Sequence, residues 1–302
     1  MNAPAIDIRG LGKSFGRSVV LDGLDLTVPR GEIFALLGAN GAGKTTTISI
    51  LTTLQRPDRG SAAVAGFDVA THRDAVRQRI ALTGQSAAVD DMLTGTENLV
   101  MLGRLSGLSP RRARTRAAEL LERFALTDAA TRRVRTYSGG MRRRLDLALS
   151  FVVVPEVLFL DEPTTGVDPR SRRDLWEVIR SLSDAGTTVF LTTQYLEEAD
   201  QLADRIAVLD EGRIVATGTP AELKALVGSD TVVLTDAAGT VVHEIPTDGS
   251  VAGLRAAIAQ LDVDDVPGAE VTLRRPTLDD VFLSLTGTPG ARPAHDTAKE
   301  YA

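Results

Sequence analysis

Cysteine is absent from the 302 residues, which excludes disulfides, zinc–thiolate centres and a cysteine nucleophile. Long apolar runs are missing too. The longest candidate, Phe151 to Leu160, is interrupted by Pro155 and Glu156 and falls short of the roughly 18 residues a spanning helix needs. The chain is therefore not expected to cross a bilayer by itself. The N-terminus, Met1 to Ala5, lacks a basic start followed by an apolar stretch, so no secretory signal is expected. Nor is there a basic excess: the formal net charge is −6, which argues against nucleic acid as a general partner. Local clusters such as Arg142 to Arg144 and Arg170, Arg172 and Arg173 read as solvated helix faces. No internal repeat is visible. What is present, 43% hydrophobic and 25% charged residues, is ordinary globular usage with enough apolar material for a core. The length suits one large domain with a small appendage.

Along the chain, Ile6 and Ile8 alternate with polar neighbours, as do Leu24, Leu26 and Val28 up to the turn Pro29-Arg30-Gly31; both stretches read as strands. Ile33 to Leu37 is continuously apolar, as a parallel strand buried on both faces would be, and leads into a glycine-rich segment and a helix to about Leu54. From about residue 90 to 147 the texture turns helical: Leu99, Leu102, Leu105, Leu120, Leu121 and Phe124 recur at helical spacing, with a start signal at Ser109-Pro110. Strands resume at Val157 to Leu160 and Thr188 to Leu191, with helices from about Ser171 and after Gln194 and a hairpin around Asp210-Glu211-Gly212. After residue 228 a second texture begins: strands over Thr231 to Leu234, Val241 to Ile245 and Val271 to Leu273, and a helix over Val251 to Leu261. A capping box, Thr277 to Asp280, opens a helix with the apolar stripe Leu278, Val281, Phe282 and Leu285. That stripe either packs within the chain or covers an assembly contact. Residues 287–302, rich in proline, glycine and alanine, read as a disordered tail.

Three motifs carry chemistry. Gly38-Ala39-Asn40-Gly41-Ala42-Gly43-Lys44-Thr45 fits the P-loop pattern G-x-x-x-x-G-K-[ST] between a strand and a helix. Glycines let backbone N–H groups curl toward phosphates, and the helix start adds its positive dipole end. Lys44 is placed for the β- and γ-phosphates, and the Thr45 hydroxyl is a hard oxygen suited to Mg²⁺. Val157-Leu158-Phe159-Leu160-Asp161-Glu162 is an apolar strand with two carboxylates at its C-terminal end, where parallel sheets bind ligands. Asp161 can hold Mg²⁺ through water, and Glu162 can polarise an attacking water. Tyr137-Ser138-Gly139-Gly140-Met141 is a second glycine-rich helix start, hence a second anion site that one nucleotide does not need from the same chain.

With that third motif the sequence resembles the ABC ATPase family, whose signature begins Leu-Ser-Gly-Gly-Gln. Here Ser138-Gly139-Gly140 is followed by Arg142-Arg143-Arg144 and the helix Leu145 to Leu149. The resemblance covers roughly Ala5 to Val227, with each motif once and in family order. It implies an α/β fold: a P-loop NTPase core with an N-terminal antiparallel β-subdomain and an inserted helical subdomain, within residues 1–228. Residues 229–286 would add a small α+β domain. It also implies ATP and Mg²⁺ as ligands and a head-to-tail homodimer with ATP at the interface, in which Ser138, Gly139 and Gly140 face the γ-phosphate bound by the opposing subunit. A separate transmembrane permease subunit is implied as partner, with the chain on the cytoplasmic face of the cell membrane. Carried over position by position, Gln85 matches the Mg²⁺-sensing glutamine and is a metal and catalytic candidate. Phe15 matches the adenine-stacking aromatic, Thr46 extends the phosphate loop, and Asp168 lies in the loop coupling the two sites. Core packing remains open for Phe15.

Within the family the sequence is similar to exporter subunits of the daunorubicin/doxorubicin-resistance type, through Thr94-Gly95-Thr96-Glu97-Asn98-Leu99, Tyr137 through Arg144, Thr192-Thr193-Gln194-Tyr195-Leu196 and Thr277 through Leu283. That implies an ATP-hydrolysing motor for export of a drug, lipid or secondary metabolite. The alternative is a non-transport ABC ATPase acting on ribosomes, a protected drug target or DNA. Three positions depart from the family pattern. Met141 replaces glutamine, Tyr137 replaces leucine, and Gln194 stands at the switch position where histidine is usual. Gln194 can donate a hydrogen bond to a γ-phosphate but carries no proton for catalysis. It could instead cap the helix that follows.

Overall fold

The computed structural model describes residues 3–83, 89–261 and 268–287. Gln85 and residues 288–302 of the expected disordered tail lie outside the described residues. The chain divides into two compact units, Met1–Thr219 and Pro220–Ala302.

The first unit carries β1 (Ile6–Phe15), β2 (Ser18–Val28), β3 (Ile33–Leu37), α1 (Lys44–Leu51), β4 (Arg59–Val64), β5 (Phe67–Asp68), α2 (Arg73–Arg77) and β6 (Ile80–Thr83). It continues with α3 (Gly95–Leu105), α4 (Pro110–Arg123), α5 (Gly139–Ser150), β7 (Val157–Asp161), α6 (Pro169–Asp184), β8 (Thr188–Thr193), α7 (Leu196–Leu202), β9 (Arg205–Asp210) and β10 (Arg213–Gly218). Two sheets result. One is antiparallel, in the order β2-β1-β4-β5. The other, in the order β10-β9-β3-β8-β7-β6, is parallel except for its β10 edge. The helices α3, α4 and α5 fall in the stretch expected to be helical, with α5 running on to Ser150.

The parallel sheet is built from strands whose every residue is buried: β3, β7 and β8 have no exposed position. Three phenylalanines lock their register. Phe34 pairs with Phe190, and Phe190 with Phe159. Phe34 and Phe190 stack at 5.9 Å, and Phe159 meets Phe190 at 5.7 Å and 56°. Burying each such ring contributes about 2–3 kcal/mol, and a one-residue slip would turn all three to the other face. The same register sets Asp161 against Thr192 two residues further along. On alternating strands those side chains share the face of Phe159 and Phe190, so core packing dictates where the site's carboxylate points.

Helix starts follow local sequence. Ser109 caps α4 with Pro110 in its first turn, Asp168 caps α6 with Pro169 likewise, and Thr94 with Glu97 forms a capping box on α3. The α6 helix thus starts two residues before the expected Ser171. Between β9 and β10 the turn uses Glu211 and Gly212, both at positive φ (45° and 79°), the pairing a two-residue hairpin requires.

The second unit comprises α8 (Pro220–Ala225), β11 (Asp230–Thr235), β12 (Val241–Thr247), α9 (Val251–Ile258), β13 (Glu270–Arg274) and α10 (Leu278–Thr286). Its sheet has the order β12-β11-β13. Val232, Leu234, Ala257 and Leu261 form its small core. The unit begins with α8, ahead of the boundary expected at residue 228, because α8 packs against α10. The capping box Thr277–Asp280 is present. Of the expected stripe, Leu278 and Val281 are buried, which is the core-packing alternative; Phe282 and Leu285 are half-buried.

Candidate functional site

The segment from Gly38 to Lys44 turns tightly onto α1. Gly43 has φ 111°, and a Cβ there would lie 2.7 Å from Leu21 Cδ2 and 3.0 Å from the Val20 carbonyl. Both conformation and space demand glycine at this position. Lys44, only 5% exposed, donates from Nζ to the carbonyls of Gly38 (2.8 Å) and Ala39 (3.1 Å) and stands 3.5 Å from Glu162 Oε1. The ammonium is thus held at the lip of the loop by its own backbone and one carboxylate.

Asp161 ends β7 and is 6% exposed. Its Oδ1 accepts from Thr192 Oγ1 at 2.6 Å and from Thr45 Oγ1 at 3.4 Å. Glu162 follows at φ 48°, a left-handed conformation that costs a residue with a side chain about 1–3 kcal/mol. The cost is met by its N–H, which donates to the carbonyl of Thr192 (3.1 Å) and to Thr192 Oγ1 (3.2 Å). That turn leaves Glu162 Oε1 beside Lys44 and Oε2 accepting from Thr165 Oγ1 at 3.2 Å.

Lys44, Thr45 and Glu162 line a cavity of 530 Å³ together with Phe15, Asn40, Gly41, Gly43, Thr46 and Gln194. Gly38 contributes the carbonyl that holds Lys44, and Ala42 is buried beneath the loop. Phe15 is 48% exposed, with the Lys13 ammonium 5.5 Å from its ring centre, so it is not core packing. The cap of α7 is Tyr195, without a side-chain cap bond. Gln194 therefore does not cap that helix, and it lines the same cavity as Lys44 and Glu162. Thr45 Oγ1 on the cavity wall and the Asp161 carboxylate oxygen that accepts from it are two neighbouring hard oxygens near the Lys44 ammonium. That donor set suits an ion which keeps most of its waters and takes phosphate oxygens, as Mg²⁺ does. Among the described residues no group of three or more His, Asp or Glu forms a metal cage.

Ser138 caps α5, accepting from the Met141 N–H at 3.2 Å. A Cβ on Gly139 would meet nothing within 4 Å, whereas one on Gly140 would lie 2.5 Å from Ser171 Oγ. Gly140 is thus the contact that lets the start of α5 lie against the start of α6. Gly139 lines a separate cleft of 310 Å³ with Arg142, Arg143, Glu162 and Thr165 to Val167. Within one chain the P-loop and the Ser138 segment therefore serve different openings, and Glu162 borders both. Asp168 accepts from the Ser171 N–H at 3.0 Å, and hydrogen bonding to that residue holds its carboxyl below the usual range. Tyr137 donates to the Ala129 carbonyl at 2.7 Å, fixing the signature segment to the helical region.

The arginines after the signature are not a solvated face. Arg143, 12% exposed, donates to the Pro163 carbonyl (3.0 Å) and to Asp146 (3.1 Å), and Arg142 pairs with Asp91 at 2.9 Å. Burial pulls the Arg143 guanidinium down from its ordinary value, against the carboxylates of Asp146, Glu198 and Asp161. Sequence reasoning also passed over Thr192 and Glu198. The signal for Thr192 was a pair of hydroxyls closing an otherwise apolar strand. For Glu198 there was none, because an acid in the first turn of a helix reads as a dipole partner in solvent, yet this one is fully buried.

Known proteins share this fold and are similar in sequence. The ABC transporter family profile matches residues 21–165. The daunorubicin/doxorubicin resistance ATP-binding protein DrrA of Streptomyces peucetius is 51% identical, over 99% of this chain and 96% of that protein. The doxorubicin resistance ATP-binding protein DrrA of Mycobacterium tuberculosis is 46% identical over 96% of both chains. The Nod factor export ATP-binding protein I of Ralstonia nicotianae is 38% identical over 95% of both. A solved ATP-binding subunit of an ABC transporter superposes with a TM-score of 0.65 at 28% identity, over 74% of this chain and 92% of that one. An ATP-binding cassette solved as a dimer after hydrolysis, with ADP and phosphate, shares the fold at TM-score 0.63 and 22% identity, over 71% of this chain and 98% of that one. With its phosphate loop, paired acids and separate signature segment in these places, the chain belongs to the ATP-binding, ATP-hydrolysing subunits of the ABC transporter family.

Proposed function

We propose that the chain drives drug export as a head-to-tail homodimer bound to a separate membrane permease at the cytoplasmic face of the cell membrane. The observation that carries this reading is the division of labour around Glu162. The P-loop, Phe15 and Gln194 open on one side of it, and Gly139 at the start of α5 opens on another. A nucleotide on the P-loop leaves the chain's own signature segment unused, so a second copy supplies it. Drug as cargo follows from the names of the daunorubicin- and doxorubicin-resistance relatives. Among the described residues no helix is long and apolar enough to cross a membrane, which agrees with a permease on another chain. Met101 and Leu105, one turn apart on α3, are exposed apolar groups available to it.

In the proposed reaction Phe15 stacks on the adenine, and the loop amides and Lys44 hold the β- and γ-phosphates. Thr45 and Asp161, with Gln85 beyond the described residues, would hold Mg²⁺, which when bound neutralises charge between those phosphates. Glu162 accepts a proton from the attacking water as its oxygen bonds to the γ-phosphorus, the bond to the β-phosphate bridging oxygen breaks, and ADP and phosphate leave. Gln194 donates a neutral hydrogen bond to the γ-phosphate. The test is Glu162→Gln: ATP binding is retained, turnover stops, and light scattering shows a dimer accumulating with ATP. A strictly monomeric variant at saturating ATP refutes the homodimer, and a variant that still hydrolyses ATP refutes the role of Glu162. Co-purification of a polypeptide with about six spanning helices supports the transport role.

A further inference from the structure

Glu198 stands on α7, four residues beyond Gln194, and has no exposed surface. Carboxylates are almost never fully buried without a partner, and this one is bonded on one oxygen alone. Its Oε1 accepts from Trp176 Nε1 on α6 at 3.2 Å. Its Oε2 is buried with no hydrogen bond formed, and so is Thr164 Oγ1 in the loop after Glu162. The two side chains nevertheless interact, as do Glu198 and Thr193, the residue just before Gln194. Burial pushes the Glu198 carboxyl above its usual range, while Thr193, Trp176, Thr164 and Arg172 oppose that shift. A second link joins the same elements: Arg172 on α6 lies over the Tyr195 ring at 5.3 Å and 3.7 Å from Glu197.

Three segments that carry site residues thus converge on one carboxyl group: the end of β8 with Gln194, the loop from Glu162 to Asp168, and α6 capped by Asp168. We propose that Glu198 is a positioning residue for ATP hydrolysis, the buried tie that sets Gln194 and the loop after Glu162 at a fixed distance from each other. It touches no substrate. The contact between Glu198 Oε2 and Thr164 Oγ1 is the part of that tie which reaches the Glu162 loop. A donor and an acceptor, both buried and both unbonded, are costly apart, so their pairing is the favoured arrangement.

This inference rests on the roles given above to Glu162 and Gln194. It is tested by three variants of the full chain: Glu198→Leu, which keeps the volume and removes both oxygens, Glu198→Gln, which keeps an acceptor for Trp176 and a donor for the hydroxyls, and Thr164→Val. Turnover per folded molecule is expected to fall about tenfold or more in Glu198→Leu and Thr164→Val, since small misplacements of reacting groups are that costly. ATP affinity is expected to be unchanged, and Glu198→Gln to retain turnover. If Glu198→Leu folds poorly, Thr164→Val alone carries the test, being close to isosteric on a loop. Normal turnover in Thr164→Val overturns the proposal, and so does equal impairment of Glu198→Leu and Glu198→Gln with loss of ATP binding. Failure of Glu162→Gln to stop turnover would remove the site assignment itself, an outcome separable from any result at Glu198.

Discussion

Thr192→Val isolates the chemistry of one hydroxyl. Thr192 is fully buried. Its Oγ1 donates to Asp161 Oδ1 at 2.6 Å and accepts from the Glu162 N–H at 3.2 Å. Valine has nearly the same shape, so no cavity forms, but Asp161 loses the shorter of its two hydroxyl donors and keeps Thr45 at 3.4 Å. A hydrogen bond to a charged group is worth about 1.5–3 kcal/mol. The Glu162 N–H keeps the Thr192 carbonyl, so its share of the loss is small. About 2 kcal/mol is therefore expected, or roughly 4–8 °C in melting temperature for a unit of this size. The functional effect is separate. Groups that orient a metal ligand are worth about 10–100-fold in metal affinity, so the Mg²⁺ concentration giving half-maximal ATP hydrolysis is expected to rise by that factor. Differential scanning fluorimetry and a Mg²⁺ titration at saturating ATP read the two effects. Thr192→Ser, which restores the hydroxyl, is expected to recover the Mg²⁺ dependence. A Thr192→Val protein with the wild-type melting temperature and wild-type Mg²⁺ dependence would refute the argument that this hydroxyl sets the carboxylate.

Lys44→Ala removes the buried ammonium held by Gly38 and Ala39 and is expected to abolish measurable ATP hydrolysis, with calorimetry showing weakened Mg-ATP binding; surviving turnover would contradict the phosphate assignment. Gln194→Ala deletes a neutral hydrogen bond worth about 1 kcal/mol, so turnover is expected to fall about five- to tenfold with little change in stability, whereas Gln194→His keeps or raises the rate because a charged donor is stronger. Glu198→Gln is expected to change the pH dependence of stability. Burial raises the carboxyl's pKa in the folded chain, so the native state binds the proton more tightly than the unfolded one. Stability from this group is then full below the unfolded pKa of about 4.3 and is lost as pH rises through the folded pKa. The melting-temperature difference between Glu198→Gln and wild type, followed by scanning fluorimetry from acid to neutral pH, is expected to move in favour of the variant as pH rises. A pH-independent difference would count against a raised carboxyl.

The core of the fold was legible because its signals are local and redundant. Ile33 to Leu37 is apolar throughout, which only a strand covered on both faces allows, and Lys44 follows a glycine that no other residue could replace. Caps at Ser109 and Thr277 mark helix starts by the same short-range hydrogen bonds in sequence and in structure, whereas the Asp168 cap of α6 reads in sequence as a loop residue. The strand Arg59–Val64 was less visible, because its Gly60 and small residues carry little hydrophobic alternation. It is held by pairing with β1 across many intervening residues, information no local window contains. The site shows the same division. Lys44, Thr45, Asp161 and Glu162 lie in compact motifs, whereas Thr192, Thr164 and Glu198 act through contacts between segments far apart in sequence. The buried Arg143 was misread for a related reason: a run of three arginines looks solvated unless the Pro163 carbonyl that receives one of them is known.

The packing at Gly140 explains why the two openings are not independent. A side chain there would strike Ser171 Oγ at 2.5 Å and Cβ at 2.6 Å, so the first turn of α5 lies directly on the first turn of α6. Ser171 in turn gives its N–H to Asp168, and Asp168 closes the loop that starts at Glu162. Arg143, one turn further along α5, donates to the Pro163 carbonyl in that same loop. The signature helix and the loop after Glu162 are therefore joined through the Gly140–Ser171 packing and the Arg143–Pro163 bond, contacts that close packing makes hard to stretch. An anion docked on the Ser138 side meets a helix start that can shift only with its neighbours. Any displacement it causes reaches Glu162 through Pro163 and Asp168, and reaches Gln194 through Thr164 and Glu198. Coupling between the two openings needs no separate relay in this fold, because the groups that would bind phosphate from either side hang on one packed set of elements.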